Sequence, residues 1–312
     1  MTQNKTKQPD RPISLWLKRW VRYPLEALAL WLGFALLGAL PTDTASNVGG
    51  WIGRTLGPRL RGDKIARINL KLAMPELGDD QIAGILDGMW ENLGRTLAEY
   101  PHLRQICRLE SGRVELEGRG HVEPLLSGER SGILLSAHLA NWEIMPRYSI
   151  NAGLPLMAVV RPPNNPLVAR IIDRCRGEYD RVAKEADSAR QMMTTLREGG
   201  TVGLLADQKF NRGVDIDLFG QPSQTTDAPA QLALRTDSLV VPAQLQRLGP
   251  GRFKLICHAP IDAPDEALDR AERAKAVMAE YHRRLEEWVR ERPAEWLWIH
   301  RRWPKELYRK SG

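Results

Sequence analysis

Two spacings of apolar residues alternate through the second half of the chain. Short apolar or alternating runs, which are typical of strands, occur at 132–135, 156–160, 201–205, 214–219, 239–245 and 253–258. Apolar residues three and four apart, which are typical of helices, occupy 167–178, 191–197, 228–234 and 265–290. This alternation predicts an α/β fold with a layered, largely parallel central sheet and flanking helices, in which 214–219 is an edge strand.

The N-terminal region has a different pattern. Residues 25–40 are apolar except for Glu26 and are bounded by Pro24 and Pro41. A helix of about 16 residues is roughly 24 Å long, short of the ~30 Å hydrocarbon core of a bilayer. A cleaved signal peptide and a buried core helix are the alternatives to a membrane anchor. We predict a basic segment with a membrane-associated, anchoring helix over residues 1–41, followed by one domain over residues 42–312.

The charge distribution supports membrane contact at this end. The chain has 45 basic and 38 acidic residues, a net charge of +7. The first 24 residues have a single acidic residue, Asp10, against six basic ones: Lys5, Lys7, Arg11, Lys18, Arg19 and Arg22. Such a block suits an anionic membrane surface. Nucleic acid is the rival polyanion, but zinc-finger spacing and RNA-recognition motifs are missing from the sequence, and we expect no nucleic-acid binding.

A second basic stretch follows. Lys64, Arg67 and Lys71 recur at helical spacing beside an apolar side. Docking on lipid headgroups and a solvated face of a core-packed helix are both consistent with this pattern. The next helical pattern, over 80–100, is typical of core packing.

The cysteines and histidines indicate neither a disulfide framework nor a metal site. Cys107, Cys175 and Cys257 are far apart and odd in number, as expected for reduced thiols. The six histidines are scattered, without an H-x-x-x-H pair. We expect no cofactor and no metal.

The strongest candidate for chemistry is His138, in the turn after the strand at 132–135, with Glu143 five residues later. An imidazole accepts a proton near neutral pH, and a carboxylate can hold its tautomer. The two side chains do not stack on a regular helix, so the backbone must turn between them, with Asn141 as the N-cap of a helix that starts near Trp142. The alternative is an ordinary strand-to-helix connection with an N-cap, in which the histidine has no chemical role.

This H-x4-E pattern resembles the motif of glycerolipid-type acyltransferases, and the rest of the chain is similar to the lauroyl/myristoyl acyltransferases of lipid A biosynthesis. The resemblance runs from about Arg61 to Trp303. Besides the His138 motif, it rests on segments in the family's order: 66–70 (ARINL), 75–77 (PEL), 91–94 (ENLG), 161–166 (RPPNNP), 206–208 (ADQ), 219–220 (FG) with 225–226 (TT), 241–242 (VP) and 293–302 (PAEWLWIHRR).

The resemblance implies a glycerolipid acyltransferase-like fold and transfer of a fatty acyl chain from acyl carrier protein to a hydroxyl of a lipid A precursor, of the Kdo-lipid IVA type. It also implies a location at the cytoplasmic face of the bacterial inner membrane. His138 would be the general base and Glu143 its orienting partner. Because the chain has no G-x-S-x-G motif, we expect direct attack without an acyl-enzyme.

The resemblance also marks residues for substrate contact. Arg161 would stabilise the oxyanion or bind acceptor phosphate; a surface arginine beside a proline turn is the alternative. The other candidates for substrate binding are Asn164, Asp207, Gln208, Thr225, Thr226, Arg301 and Arg302. Turn and capping roles are the alternatives for the short polar residues, and a structural role is the alternative for the arginines.

Three other functions compete with this interpretation. The chain could acylate another glycolipid or phospholipid, such as a phosphatidylinositol mannoside or an ornithine-type lipid. It could be a thioesterase, because the same base can activate water, or a non-catalytic module of the membrane surface.

Overall fold

The fold is built on a mixed sheet, seen in a computed structural model that describes residues 17–178, 181–183, 188–264 and 267–310. The strands in these residues are β1 (Val114–Glu117), β2 (Gly132–Ser136), β3 (Leu156–Val160), β4 (Arg181–Ala183), β5 (Thr201–Leu205), β6 (Val214–Leu218), β7 (Gln221–Thr225), β8 (Leu239–Gly249) and β9 (Arg252–Cys257). Seven of them form one sheet in the order β1-β9-β8-β2-β5-β3-β4.

All neighbours in this sheet are parallel except β8 and β9. The central strand β2 is buried along its whole length, as expected for a parallel strand covered on both faces. The predicted α/β fold with a largely parallel sheet is confirmed. The sequence pattern did not reveal β1, β4 or β7, which are short or polar.

The prediction of an edge strand at 214–219 is wrong in one respect. This segment forms β6, which pairs with β7 in a separate antiparallel hairpin. The two turn residues, Phe219 and Gly220, both have positive φ, at 54° and 66°. That is the backbone of a tight turn whose twist matches a two-stranded ribbon, so the strand folds back on its neighbour in sequence.

Helices cover the sheet. They are α1 (Tyr23–Gly38), α2 (Thr42–Leu56), α3 (Arg61–Ala73), α4 (Asp79–Glu99), α5 (Ile144–Asn151), α6 (Pro166–Arg176), α7 (Ser188–Arg197), α8 (Ala228–Thr236), α9 (Arg270–Glu291) and α10 (Lys305–Lys310), with one-turn helices at Leu103–Ile106 and Glu123–Leu126. Helices α4 and α9 each bury an apolar stripe in the larger of two core clusters. Helix α9 also reaches β2, because the Tyr281 hydroxyl donates to the Ser136 carbonyl at 2.7 Å.

Most of the N-terminal apolar helix lies outside the core, although Phe34 stacks on Tyr100. Together with a preceding π-helical turn, it runs from Lys18 to Gly38, and by length and composition it could cross a membrane. Ala27 is the buried residue within α1, whereas Leu25 and Leu36 are 61% and 72% exposed. This exposure argues against the alternative of a core helix. The basic residues before Leu17 lie outside the described part of the chain.

Candidate active site

The carboxyl ends of β2 and β5 bring two polar side chains together. The strands are parallel neighbours, with Ser136 opposite Leu205. The pairing continues one residue further, since the Ala206 amide donates to the Ser136 carbonyl at 3.0 Å. His138 and Asp207 each follow two residues after their strands, so the register itself places them side by side.

Asp207 holds the imidazole of His138. One carboxylate oxygen, Oδ1, lies 2.8 Å from His138 Nδ1, and the other accepts the backbone amide of His138 at 3.0 Å. The indole of Trp296 also donates to Oδ2, at 2.8 Å. Burial alone would raise the pKa of the Asp207 carboxyl, but the charge of His138 and these hydrogen bonds outweigh burial and hold this pKa well below its usual range.

An ionised carboxylate only accepts hydrogen bonds, so the Nδ1 of His138 carries the proton and Nε2 is left as the acceptor. The side-chain amide of Gln208 lies 3.2 Å from this Nε2 and donates to it. The side chain of His138 is 18% exposed, and its ring lies between Trp142 and His300, with ring centres 5.1 and 6.3 Å away. The ring is therefore partly open to solvent, with the Gln208 amide at its acceptor nitrogen.

The turn after His138 is held by helix α4. Ala140 has a positive φ of 48°, which is unfavourable for a residue with a side chain. Its carbonyl accepts hydrogen bonds from Asn92 at 3.1 Å and Thr96 at 3.0 Å, and its amide donates to the Glu295 carbonyl at 3.0 Å. These contacts fix the strained turn and aim His138.

The turn carries Glu143 away from His138, so the prediction that Glu143 orients the imidazole by direct contact is wrong. Arg176 binds both Glu143 oxygens with two bonds of 2.6 Å, and the Tyr100 hydroxyl donates to Oε1 at 3.0 Å. Glu143 and Arg176 are both buried. The predicted N-cap Asn141 does accept the Glu143 amide at 3.2 Å, but the regular helix begins at Ile144.

The C-terminal aromatic segment closes the site from the other side. The Leu297 amide donates to the His138 carbonyl at 3.1 Å, and Leu139 forms a β-bridge with Trp296. From α3, the amide of Asn69 donates to the carbonyls of Trp298 and His300. The short matching segments of the sequence that contain Asn69, Asn92 and Trp296 thus meet around one histidine.

Comparison with known sequences agrees with this arrangement. The family model described as bacterial lipid A biosynthesis acyltransferase matches residues 17–305. The chain belongs to this family.

Individual relatives match along most of their length. Over 286 residues, the acyltransferase is 26% identical to a lipid A biosynthesis lauroyltransferase of Escherichia coli, covering 87% of this chain and 90% of the relative. It is 24% identical to a lipid A biosynthesis acyltransferase of Haemophilus influenzae, covering 87% and 89%. A lipid A biosynthesis palmitoleoyltransferase of E. coli is 24% identical over 58% of this chain and 61% of the relative.

Two predicted substrate residues of the acyltransferase lie at the rim of the site. Arg161 and Asn164 are exposed in the loop after β3, the strand beside β5. Burial and then the charge of His138 lower the pKa of His300, against the opposing effect of Asp207, and Arg161 makes the smallest contribution to the lowering. The loop after β3 thus carries Arg161 at the same edge of the sheet as His138 and Asp207.

Thr225 and Arg302 require a correction, because the structure encloses both side chains. Arg302 donates to the Thr225 hydroxyl at 2.7 Å and to His282 Nε2 at 3.2 Å, and all three are buried. Burial and Arg302 lower the pKa of His282 to about 3, and burial lowers that of Arg302 to about 10. These hydrogen bonds join the β6–β7 hairpin, α9 and the C-terminal segment, so we assign the three side chains to packing rather than to substrate contact.

The remaining predicted residues have local contacts. Thr226 accepts the Ala228 amide at 3.3 Å at the start of α8. Arg301 is exposed and lies over the ring of Tyr308, 5.6 Å from its centre. Neither contact joins the His138 cluster.

The thiols of the acyltransferase are poor nucleophiles in their buried or partly buried positions. Burial raises the pKa of Cys107 to about 12 and those of Cys175 and Cys257 to about 11. Within the described residues, no group of three or more His, Cys, Asp or Glu side chains could hold a metal ion.

No motif in the sequence marks Arg176 and Tyr100, the partners of Glu143. Asp207 was predicted to bind substrate, whereas in the structure it contacts His138. The position of Asp207 two residues past its strand, like that of His138, was the available signal.

Proposed function

We propose that the acyltransferase moves a fatty acyl chain from acyl carrier protein to a hydroxyl of a lipid A precursor of the Kdo-lipid IVA type, with His138 as general base. The pairing of His138 Nδ1 with buried Asp207 at 2.8 Å is the observation that carries the proposal. With Nδ1 donating to this carboxylate, Nε2 is the acceptor nitrogen, which is what a base needs to activate an alcohol.

In the proposed reaction, Nε2 of His138 takes the proton as the acceptor hydroxyl oxygen attacks the carbonyl carbon of the thioester. The tetrahedral intermediate then collapses, the carbon–sulfur bond breaks, and the imidazolium returns its proton to the departing sulfur. The products are an ester and the free thiol of the carrier. Asp207 stabilises the imidazolium between these two proton transfers.

Gln208 has a positioning role in this scheme. Its amide donates to His138 Nε2 in the structure, at the position that a substrate hydroxyl must occupy. Binding of the acceptor therefore displaces this amide, which becomes free to donate to an oxygen of the substrate.

Direct transfer is supported by the surroundings of the base. Among the described residues, the hydrogen-bond partners of the His138 ring are Asp207 and Gln208, and neither is an acyl-enzyme nucleophile. The three thiols, whose pKa values are raised by burial, do not provide an alternative nucleophile.

Arg161 is the side chain proposed to bind a phosphate group of the acceptor lipid. It is exposed in the loop after β3 and makes no ion pair within the described residues, so its guanidinium is available to a phosphate. Asn164 in the same loop is proposed as a neutral hydrogen-bonding partner of the same acceptor.

We further propose that residues 1–41 hold the enzyme at the cytoplasmic face of the bacterial inner membrane, with residues 42–312 as its catalytic domain. The exposed apolar side chains of α1 and the three free thiols support this location. Leu28→Arg and Leu32→Arg together should release the enzyme from membranes in a fractionation experiment, because both side chains face outward. Retention of the folded double variant on membranes washed with high salt, which screens electrostatic docking elsewhere on the protein, would contradict the role of α1 as the main anchor.

The decisive assay uses acyl carrier protein loaded with a radiolabelled acyl chain, with and without Kdo-lipid IVA. The label should move to the lipid only when both substrates and intact His138 are present, as followed by thin-layer chromatography. His138→Ala is the variant expected to be inactive, and His121→Ala, at an exposed histidine outside the site, is the matched control.

The competing functions have distinct outcomes in the same assay. Release of free fatty acid without transfer would indicate a thioesterase. Transfer to phospholipid or to another glycolipid, with Kdo-lipid IVA unchanged, would replace the acceptor in the proposal. Equal transfer from acyl-coenzyme A would widen the class of donor.

A further inference from the structure

Helix α2 has an inverted pattern of burial. Its small residues Ala45 and Gly49 are buried against the protein, whereas Trp51 is 69% exposed. Ile52, Leu56 and Leu60, the last just beyond the helix, are 41%, 54% and 55% exposed. We call these four side chains the outward face of α2. In a helix that packs in water, the large apolar side chains normally face the core, so this face lacks its partner.

Close packing against α4 explains why the large side chains point away. A methyl group added at Gly49 would overlap Ala98 and the carbonyl of Gly94, and one added at Gly53 would overlap the carbonyl of Trp90. Small residues repeated every fourth position are the packing mode of helices in membranes. The backbones approach so closely that no apolar side chain fits between them.

Basic residues surround the outward face of α2. Residues 54–71 contain six basic residues and one acidic residue, Asp63, whose carboxylate accepts the Trp90 indole at 2.8 Å. In the described part of the chain, Arg59, Arg61 and Lys64 form no ion pair with a protein carboxylate. A cationic border around exposed tryptophan and leucine complements the anionic headgroups of a phospholipid surface.

The adjoining helix α1 brings a bilayer to the same part of the molecule. Residues 39–41 connect the two helices, and three residues span at most about 10 Å. Both ends of α1 are tied to the catalytic domain, because Asn165 donates to the Tyr23 carbonyl at 2.9 Å and His102 lies 3.1 Å from the Leu37 carbonyl. The surface of a bilayer that contains α1 would therefore lie next to α2.

The other end of the face leads to the candidate active site. A Cβ on Gly62, two residues after Leu60, would lie 3.1 Å from a methyl group of Ile299. The next residue, His300, has its ring centre 6.3 Å from that of His138. A bilayer seated on this face would thus meet the protein beside the catalytic histidine.

We infer that the outward face of α2, with Arg59, Arg61 and Lys64, is a second docking surface for an anionic phospholipid bilayer, separate from α1. This surface sets the height and the tilt of the candidate active site over the headgroups. The inference concerns membrane geometry and does not depend on which acyl transfer the enzyme performs.

The test measures thiol accessibility in the full-length protein reconstituted in nanodiscs. Leu56→Cys and Leu60→Cys place a thiol on the face, and Leu268→Cys places a matched one on a leucine that is 43% exposed near the start of α9. The unmodified chain reports the background from its own cysteines. In nanodiscs of phosphatidylethanolamine and phosphatidylglycerol, a water-soluble maleimide should label positions 56 and 60 at least about tenfold more slowly than position 268.

A second comparison tests the charges. Replacing Arg59, Arg61 and Lys64 together with alanine, in the Leu60→Cys background, should restore fast labelling, as should nanodiscs of phosphatidylcholine alone. Equal labelling of positions 56, 60 and 268 in anionic nanodiscs would overturn the inference. Protection that persists in a lipid-free amphipol complex, with a dimer on size exclusion, would also overturn it by showing that a second copy covers the face.

Discussion

Arg176 and Glu143 form a bidentate ion pair beneath the catalytic turn, with their side chains 10% and 6% exposed. The pair joins the end of α6 to the residue just before α5, so it fixes the far end of the turn that begins at His138. Glu143 therefore contacts the turn from below and not the imidazole, which Asp207 holds.

This geometry predicts a large loss of stability for Glu143→Gln. The substitution leaves the Arg176 cation without its buried carboxylate, which costs about 3 kcal/mol of folding free energy. Adding Arg176→Met should recover part of the loss, because the uncompensated charge is then removed. Thermal unfolding of the two variants and the wild type measures the effect. An unchanged melting temperature in Glu143→Gln with turnover lost would instead assign the carboxylate a direct chemical role.

Asp207→Asn should abolish most turnover. An amide at this position can donate to His138 Nδ1, which would shift the proton to Nε2 and remove the base. The expected fall in kcat is on the order of 10³–10⁴, with a smaller change in KM. Steady-state kinetics with Asp215→Asn, an exposed aspartate on β6, provides the matched control. A kcat within a few-fold of wild type would exclude Asp207 as the orienting group.

Arg161→Lys should chiefly weaken acceptor binding. Lysine keeps the charge but loses the planar fork that binds phosphate in two places, so KM for the phosphorylated acceptor should rise by about tenfold, or about 1.4 kcal/mol. Arg170→Lys, at an exposed position on α6, is the control. A fall in kcat at unchanged KM would assign Arg161 to the oxyanion rather than to the acceptor.

Buried His282 should make the enzyme sensitive to acid. Its folded-state pKa of about 3 lies below the ordinary value of 6.5, so the unfolded chain binds the proton first and stability falls as the pH drops from about 6.5 towards 3. Between pH 6.5 and pH 5 this group alone costs about 2 kcal/mol.

His282→Gln should therefore show a smaller drop in melting temperature between pH 7 and pH 5 than the wild type. His121→Gln, at an exposed histidine, should retain the wild-type drop. Parallel drops in all three proteins would show that another group governs the acid response.

The sequence predicted the sheet well because apolar runs such as those of β3 and β5 report burial directly. It also placed His138 and Asp207 at strand ends, since a strand's end can be read from where its apolar run stops. Their mutual contact was missed because it depends on β2 and β5 being neighbours, a pairing between segments about 70 residues apart. Spacing along the chain favoured Glu143 instead.

Side-chain direction was the other missing information. A positive φ at Ala140 turns Glu143 towards Arg176, and no local pattern indicates such a conformation at an alanine. Thr225 and Arg302 were indistinguishable from substrate ligands. The sequence does not show whether a polar side chain is buried or exposed, because that depends on tertiary packing.

The contact of α2 with α4 has a consequence for how this enzyme is mapped by mutation. Gly94, against which α2 packs, lies on α4 between Asn92 and Thr96, the two residues that hold the Ala140 carbonyl. A scan that truncates side chains to alanine removes nothing at Gly49, Gly53 or Gly94 and adds a methyl group instead. Loss of activity at these positions would arise because the added methyl group displaces α4. It would not identify a side chain that takes part in the reaction, so an activity map must treat these glycines separately.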